Sequence, residues 1–387
     1  MIVLQPRPAA EEGRHLAEHA CAEASRRRRP VLLAFTREIE PLDAVALYSR
    51  ATVAGHDATY WEQPSRGTVV ATAGAARRIE THGAGRFADA AAAWRELAGD
   101  AVTNRKDALI AFAGFAFAAT AARAPHWRAF GDGALVAPAL TYRATGTRAD
   151  VTLATLVRPG ETAGDVAFAL AALLHAGGNA PAARRSGPCA IEEPSDFDQW
   201  TAAVTAITDA IDAGAVDKTV LAREVTLRGD RGFDVPGALA GLGEGYPACT
   251  VFAFHREGAC FLGATPERLV RVEGRKVYAT CLAGTAPRGS NADEDAAAAD
   301  ALMRDAKERR EHELVVRMIA GALTPLCREI DVPPRPSIMT MPNVQHLHTP
   351  IEGTLAAHAG VLDLVERLHP TPAVGGMPRE AALSRNG

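Results

Sequence analysis

CTVFAFHREGACFLGATPERLVRVEGRKVYATCL, residues Cys249 to Leu282, is the stretch whose reading decides the fold. It divides into the strand-like runs Cys249–His255, Cys260–Leu262, Arg268–Val272 and Lys276–Leu282. Tight-turn signals at Arg256-Glu257-Gly258 and Glu273-Gly274 separate the later ones. Apolar, aromatic and β-branched runs between such turns predict an antiparallel meander. Lys218–Leu227 reads as a further strand upstream, and a long helical region runs from Ala292 to Leu323 downstream. Strands followed by helices, without strict alternation, place the chain in the α+β class.

Before this stretch, Trp200, Val204, Ile207 and Ile211 fall on one face of a helix. Ser195 can cap that helix, with Asp198 three residues on as reciprocal partner, and Gly214 stops it. The first half mixes strands (Val31–Thr36, Thr68–Thr72, Ala108–Gly114, Leu135–Tyr142, Asp150–Val157) with Ala-rich helices (Phe87–Leu97, Ala163–Leu174), and it reads as scaffold. His175–Pro194, rich in Gly, Pro and Asn, reads as a linker or surface loop. The expected organisation is therefore an N-terminal scaffold half, 1–194, and a catalytic region, 195–387.

The chain has 387 residues and a net charge of −4, so no global basic field points to nucleic acid or a membrane surface. Arg26–Arg29 reads as a short solvated loop. No apolar run is long enough to span a bilayer, and the N-terminus lacks a signal-peptide layout. Six scattered cysteines form no CxxC pair, which argues against zinc and suits a reducing cytosol. Of 42 basic residues only Lys106, Lys218, Lys276 and Lys307 are lysine, leaving 42 − 4 = 38 arginines. A lysine in so arginine-rich a chain is of interest, because it can be deprotonated at a tuned site and arginine cannot.

Individual residues allow both chemical and structural readings. Glu311 shares a helical face with Leu314, Val315 and Met318, so it needs a partner, a proton or a metal; a structural ion pair would satisfy the same pattern. Glu313 lies among Arg309, Arg310 and Arg317 on a solvated face. Lys218, at the start of a strand, is either a desolvated base or a strand-end lysine reaching to water. Glu267, in FLGATPERL, either projects into a cleft or sits in an exposed turn. The amides of LAGTAPRG (Leu282–Gly289) could hold a carboxylate, though the segment is no phosphate loop.

Taken together and in order, the motifs are more specific. DKTVLAR (Asp217–Arg223), FLGATPERLV (Phe261–Val270), LAGTAPRG, KERREHELV (Lys307–Val315), NVQHLHTPIEG (Asn343–Gly353) and LHPTPAVGGMP (Leu368–Pro378) resemble the chorismate-utilising, chorismate-binding enzymes, and within them the isochorismate synthases. The resemblance covers about Phe197 to Pro378; VLLAFTRE and YWEQP in the first half are similar to menaquinone-pathway members. LVVRMIAG after the EH pair, and AVGGMPR, separate the chain from the anthranilate and aminodeoxychorismate synthases. Salicylate synthases, which also eliminate pyruvate, are the nearest alternative.

The resemblance implies a fold of antiparallel sheets with helices outside, and a cytoplasmic, monomeric, magnesium-dependent enzyme. That enzyme would act on chorismate, in menaquinone or siderophore biosynthesis. Lys218 matches the general base that activates water for attack at C2, and Glu267 the general acid that protonates the departing C4 hydroxyl. Glu311 matches a Mg2+ ligand, while Gly284, Thr285 and His346 match substrate-facing residues. The family pattern continues beyond MPREAALSRNG with further strands, a carboxylate-binding arginine and a second magnesium glutamate. The expectation is therefore a truncated chain with an exposed sheet edge and weakened metal and substrate binding, or an inactive fragment.

Overall fold

Val31–Ile39 forms a strand whose alternate side chains are buried on opposite faces. Val31, Leu33 and Phe35 join one apolar cluster, and Leu32 and Ala34 join another. The pattern is that of a sheet covered on both sides, and in this computed structural model it lies in the nine-stranded sheet of the first of two compact units. The structure describes residues 8–118, 124–175, 187, 189–192, 197–356 and 359–384.

The first unit holds residues 1–119, 123–185 and 233–266. Its strand order is Ala259–Thr265, Thr250–Arg256, Ala58–Gln63, Thr68–Thr81, Gly133–Thr145, Arg148–Val157, Val31–Ile39 and Val102–Thr103, with Phe112–Phe115 paired to Gly133–Thr145. All pairings are antiparallel except the last of the main order, Val31–Ile39 with Val102–Thr103. Helices Pro8–Arg27, Ala44–Val53, Ala163–His175 and Val235–Gly245 contribute to one core cluster; Arg86–Gly99 contributes Trp94 and Leu97 to the other. The expected Ala108–Gly114 strand is confined to Phe112–Phe115.

Two further expectations for this unit change. Arg26 and Arg27 end the first helix and are not in a loop. Arg27 and Arg29 both pair with Asp100, and Glu23 accepts from Arg26 and Arg27. Arg26, Arg27 and Arg29 are held in ion pairs because a helix C-terminus favours cations and acidic neighbours lie within reach, while Arg28 is exposed. Second, the meander is split. Thr250–Arg256 and Ala259–Thr265 form a hairpin through a two-residue turn, Glu257 and Gly258 both at positive φ, as a tight hairpin turn requires. Val251–His255 then pairs with Ala58–Glu62, so Phe233–Pro266, read as part of the catalytic half, belongs to the first unit. The break falls at Pro266, which has no N–H for a continuing ladder.

The second unit holds 120–122, 186–232 and 267–387. Its five-stranded antiparallel sheet runs Arg271–Glu273, Lys276–Pro287, Val344–Leu355, Cys327–Asp331, with Ser337–Thr340 also on Val344–Leu355. Val277, Ala279 and Cys281 from the sheet pack with Val315, Ile319 and Leu323 of a helix, together with Leu364 and Leu368 of another. The single helical region expected over Ala292–Leu323 is two helices, Ala292–Arg304 and Ala306–Leu323. Asp305 divides them: its backbone is extended and its carboxylate accepts from the Lys307 and Glu308 amides, an N-cap that starts a new helix.

Within the stretch read as a linker, Cys189–Glu192 forms a strand against Thr226–Gly229; most of the rest, and the Ser195 cap, lie outside the described residues. The strand read over Lys218–Leu227 is two short ones, Lys218–Thr219 and Thr226–Gly229. Among the described residues no helix is long and apolar enough to cross a membrane.

Candidate active site

Lys218 is fixed by its backbone. Lys218–Thr219 pairs antiparallel with Gly376–Met377, and the Asp217 amide donates to the Met377 carbonyl at 2.7 Å. Gly376 makes this possible. Its φ is +119°, and a Cβ there would collide with the Lys218 carbonyl oxygen and lie 2.6 Å from the Ala382 Cβ. Gly376→Ala should therefore cost about 1–2 kcal/mol in backbone strain and about 1–3 kcal/mol in overpacking. A thermal melt should show Tm lower by about 5 °C or more. An unchanged melt would contradict this packing.

The helix Ala306–Leu323 carries the carboxylates. Its buried stripe is His312, Val315, Ile319 and Leu323, one residue round from the stripe expected through Glu311. The rotation places Glu311 at the margin of the buried face, half-exposed, where it can both reach partners and meet solvent. Its Oε2 lies 3.6 Å from Lys218 Nζ and its Oε1 3.9 Å from the exposed Lys307 Nζ. Glu313 is solvated beside Arg309, as expected.

Glu308, one turn before Glu311, went unremarked in the sequence. The i, i+3 spacing was the available signal, since it sets both carboxylates on one side of the helix. Glu308 aims at the strand opposite: a Cβ on Gly284 would lie 3.1 Å from Glu308 Oε2 and 3.1 Å from Leu347. Gly284 sits at φ +84° in a bulge of Lys276–Pro287, where Leu282 pairs with His348 and Thr285 with His346, so Ala283 and Gly284 have no register partner. A glycine at positive φ is what such a bulge takes.

Glu267 is the first residue of its segment in this unit. Burial pushes its carboxyl above the ordinary value. Cys281 lies within the field of both site residues. Its thiol is pushed up to about 12, first by burial and then by the Glu267 charge, with Lys218 opposing.

Thr285 and His346 form a second pair. Thr285 Oγ1 and His346 Nδ1 are 3.0 Å apart on neighbouring strands. Along Val344–Leu355 the buried positions are Gln345, Leu347, Thr349, Ile351, Gly353 and Leu355, and Thr349 meets the carboxylate helix through His312. His346 is out of phase with them and projects from the other face. The structure thus sets Lys218 against Glu311 near one end of the helix and Glu308 toward Gly284, while Glu267 and Lys218 both act on the Cys281 thiol. It sets Thr285 and His346 on the opposite side of the strand pair.

On an α+β scaffold, a lysine, a buried carboxyl and two further carboxylates make the equipment of an acid–base enzyme. Residues 18–385 match the family described as Chorismate binding enzyme, and the chain belongs to it. It is 38% identical over 373 residues to the salicylate biosynthesis isochorismate synthase of Pseudomonas aeruginosa, covering 95% of this chain and 77% of that one. It is 32% identical over 378 residues to isochorismate synthase MenF of Bacillus subtilis, covering 94% and 80%. Its fold is that of MenF from Escherichia coli, the menaquinone-specific isochorismate synthase, with TM-score 0.76 at 22% identity over 96% of this chain and 83% of that one.

Proposed function

We propose that this chain is an isochorismate synthase of the cytoplasm, converting chorismate to isochorismate. Two relatives that each match more than nine-tenths of the chain bear that name. The observation that carries the reading is the Lys218 amine 3.6 Å from the Glu311 carboxylate, with the buried Glu267 carboxyl, raised above its ordinary value, acting together with Lys218 on the Cys281 thiol. In the reaction Lys218 takes a proton from water as its oxygen bonds to C2 of the ring. The ring double bonds shift, the C4–O bond breaks, and Glu267 gives its proton to the departing hydroxyl, so that one water enters and one leaves. Each proton transfer is worth about 10²–10⁴-fold in rate.

Magnesium fits the residues present. Among the described residues no group of three or more His, Cys, Asp or Glu could hold a metal. Glu308 and Glu311 nonetheless share a helix side, and Gly284 leaves open the space beside Glu308 that a side chain would fill. Magnesium binds through one or two carboxylates, with waters and substrate oxygens completing its shell. When bound, it would supply positive charge that holds the ring carboxylate of the substrate.

Incubating the chain with chorismate and magnesium, and separating products by liquid chromatography, tests the reading. Isochorismate is expected. Salicylate with pyruvate would make the chain a salicylate synthase, and no turnover would overturn the proposal. Glu311→Gln should raise the magnesium concentration for half-maximal rate by at least about 10–100-fold, the cost seen when even an outer-shell partner of a metal is lost. An unchanged magnesium titration would remove Glu311 from the metal site.

A further inference from the structure

His312 follows Glu311 directly and is 1% exposed, the only histidine among the described buried residues. Both ring nitrogens are engaged. Nδ1 lies 3.0 Å from the Ala283 carbonyl oxygen, and Nε2 lies 2.7 Å from Thr349 Oγ1. A carbonyl can only accept, so Nδ1 carries the proton, and Nε2 accepts from the Thr349 hydroxyl. Cys281 Sγ, 3.6 Å from Nδ1, completes the surroundings. Ala283 is buried and belongs to the bulge that has no register partner on the neighbouring strand. A buried carbonyl needs a hydrogen-bond partner, and the His312 ring supplies one.

We propose that His312 is a positioning residue: its Nδ1–H bond to Ala283 holds the Gly284–Thr285 bulge at a set distance from Glu308 and Glu311. The significance for catalysis rests on the isochorismate synthase reading; the mechanical part does not. The geometry accounts for both ends of the link. One residue before His312 is the carboxylate paired with Lys218, and one residue after Ala283 is the glycine that faces Glu308. A single imidazole therefore couples the helix that presents the carboxylates to the strand segment that faces them. The Nε2 bond to Thr349 sets the ring's orientation and tautomer, and the Nδ1 bond transmits the position.

Two conservative variants separate these bonds. In His312→Asn the side-chain amide reaches the place of Nδ1 and can still donate to Ala283. In His312→Gln it reaches the place of Nε2, keeping Thr349 and losing Ala283. Hydrogen–deuterium exchange of the full chain is the readout, comparing the Gly284–Ala286 amides with those of Val277–Leu282 in the same strand. The expected result is faster exchange in His312→Gln, by about five- to tenfold and confined to the bulge, the size of one lost hydrogen bond. His312→Asn should stay near wild type at the bulge, and its kcat on chorismate should fall less than that of His312→Gln. Equal behaviour of the two variants, the opposite ranking, or exchange rising evenly along the strand would overturn the proposal and leave His312 an ordinary core residue. If the wild-type chain does not turn over chorismate, the functional reading falls, and the exchange ranking still decides the role of His312.

Discussion

Lys218→Ala should lower kcat for chorismate conversion by about 10²–10⁴-fold, the range expected for loss of a general base, with KM changed far less. The side chain is 19% exposed and its amine sits 3.6 Å from Glu311 Oε2, held there by the ladder to Gly376 and Met377. The truncation removes no ladder hydrogen bond, since those come from the backbone, so the fold should survive it. Lys218→Arg is the sharper variant. Arginine can still lie against Glu311, but it is protonated at all times in a protein and cannot take a proton from water. It is also the substitution this chain's composition favours, with 38 arginines among 42 basic residues. If Lys218→Arg keeps activity within about tenfold, a value well inside what a lost proton-transfer group costs, the site needs a cation and not a base. The proposed chemistry would then be wrong.

Most local elements were legible because periodicity is a local property. The hairpin turn at Glu257-Gly258, the helix with Trp200 and Ile207, and the strand at Val31 all formed where their patterns place them. Sheet membership was not legible. The hairpin Thr250–Thr265 carries the same alternation whether Ala259–Thr265 continues the meander onto Arg271–Glu273 or Thr250–Arg256 joins Ala58–Gln63, and only the tertiary pairing decides. The first helix escaped notice for a different reason. Its buried residues, Ala17, Ala20 and Ala24, are a helical stripe of alanines in an alanine-rich chain, so the stripe has little contrast with its surroundings.

The site divides along the same line. Lys218, Glu267 and Glu311 could be named from motifs, because chemistry constrains residue type as well as spacing. Their mutual placement depends on long-range pairing, between Thr219 and Gly376 for the lysine and across the Leu282–Thr285 bulge for Gly284. A rotation by one residue separates the expected apolar face of the carboxylate helix from the observed one. That small difference moves Glu311 from a buried position to the margin and gives the buried one to His312. Amphipathic patterns locate a face to within about one residue, since neighbouring positions lie about 100° apart and the apolar stripe is itself that wide.

Glu267→Gln should lower kcat by about 10²–10⁴-fold, as loss of a general acid does, and it should also change the shape of the pH–rate profile. Burial raises the Glu267 carboxyl above its ordinary value, so the protonated, donating form persists to higher pH than in an exposed glutamate. The acid is fully available below its folded-state pKa and is lost as pH rises through it. The wild-type kcat profile should therefore carry a descending limb above the ordinary carboxylate range, and Glu267→Gln, which has no proton to lose there, should lack that limb. The same shift has a stability consequence of definite sign. Between the ordinary carboxylate pKa and the raised one, the folded chain holds a proton that the unfolded chain has released, so this group's contribution to stability declines as pH rises through that window. Glutamine does not titrate. Thermal melts should accordingly show Glu267→Gln at least as stable as wild type near neutral pH, with the difference shrinking as pH falls toward the ordinary carboxylate value. A variant that loses activity and also melts much earlier at neutral pH would mean that Glu267 is a structural carboxylate. A wild-type descending limb that survives in Glu267→Gln would assign the acid to another group.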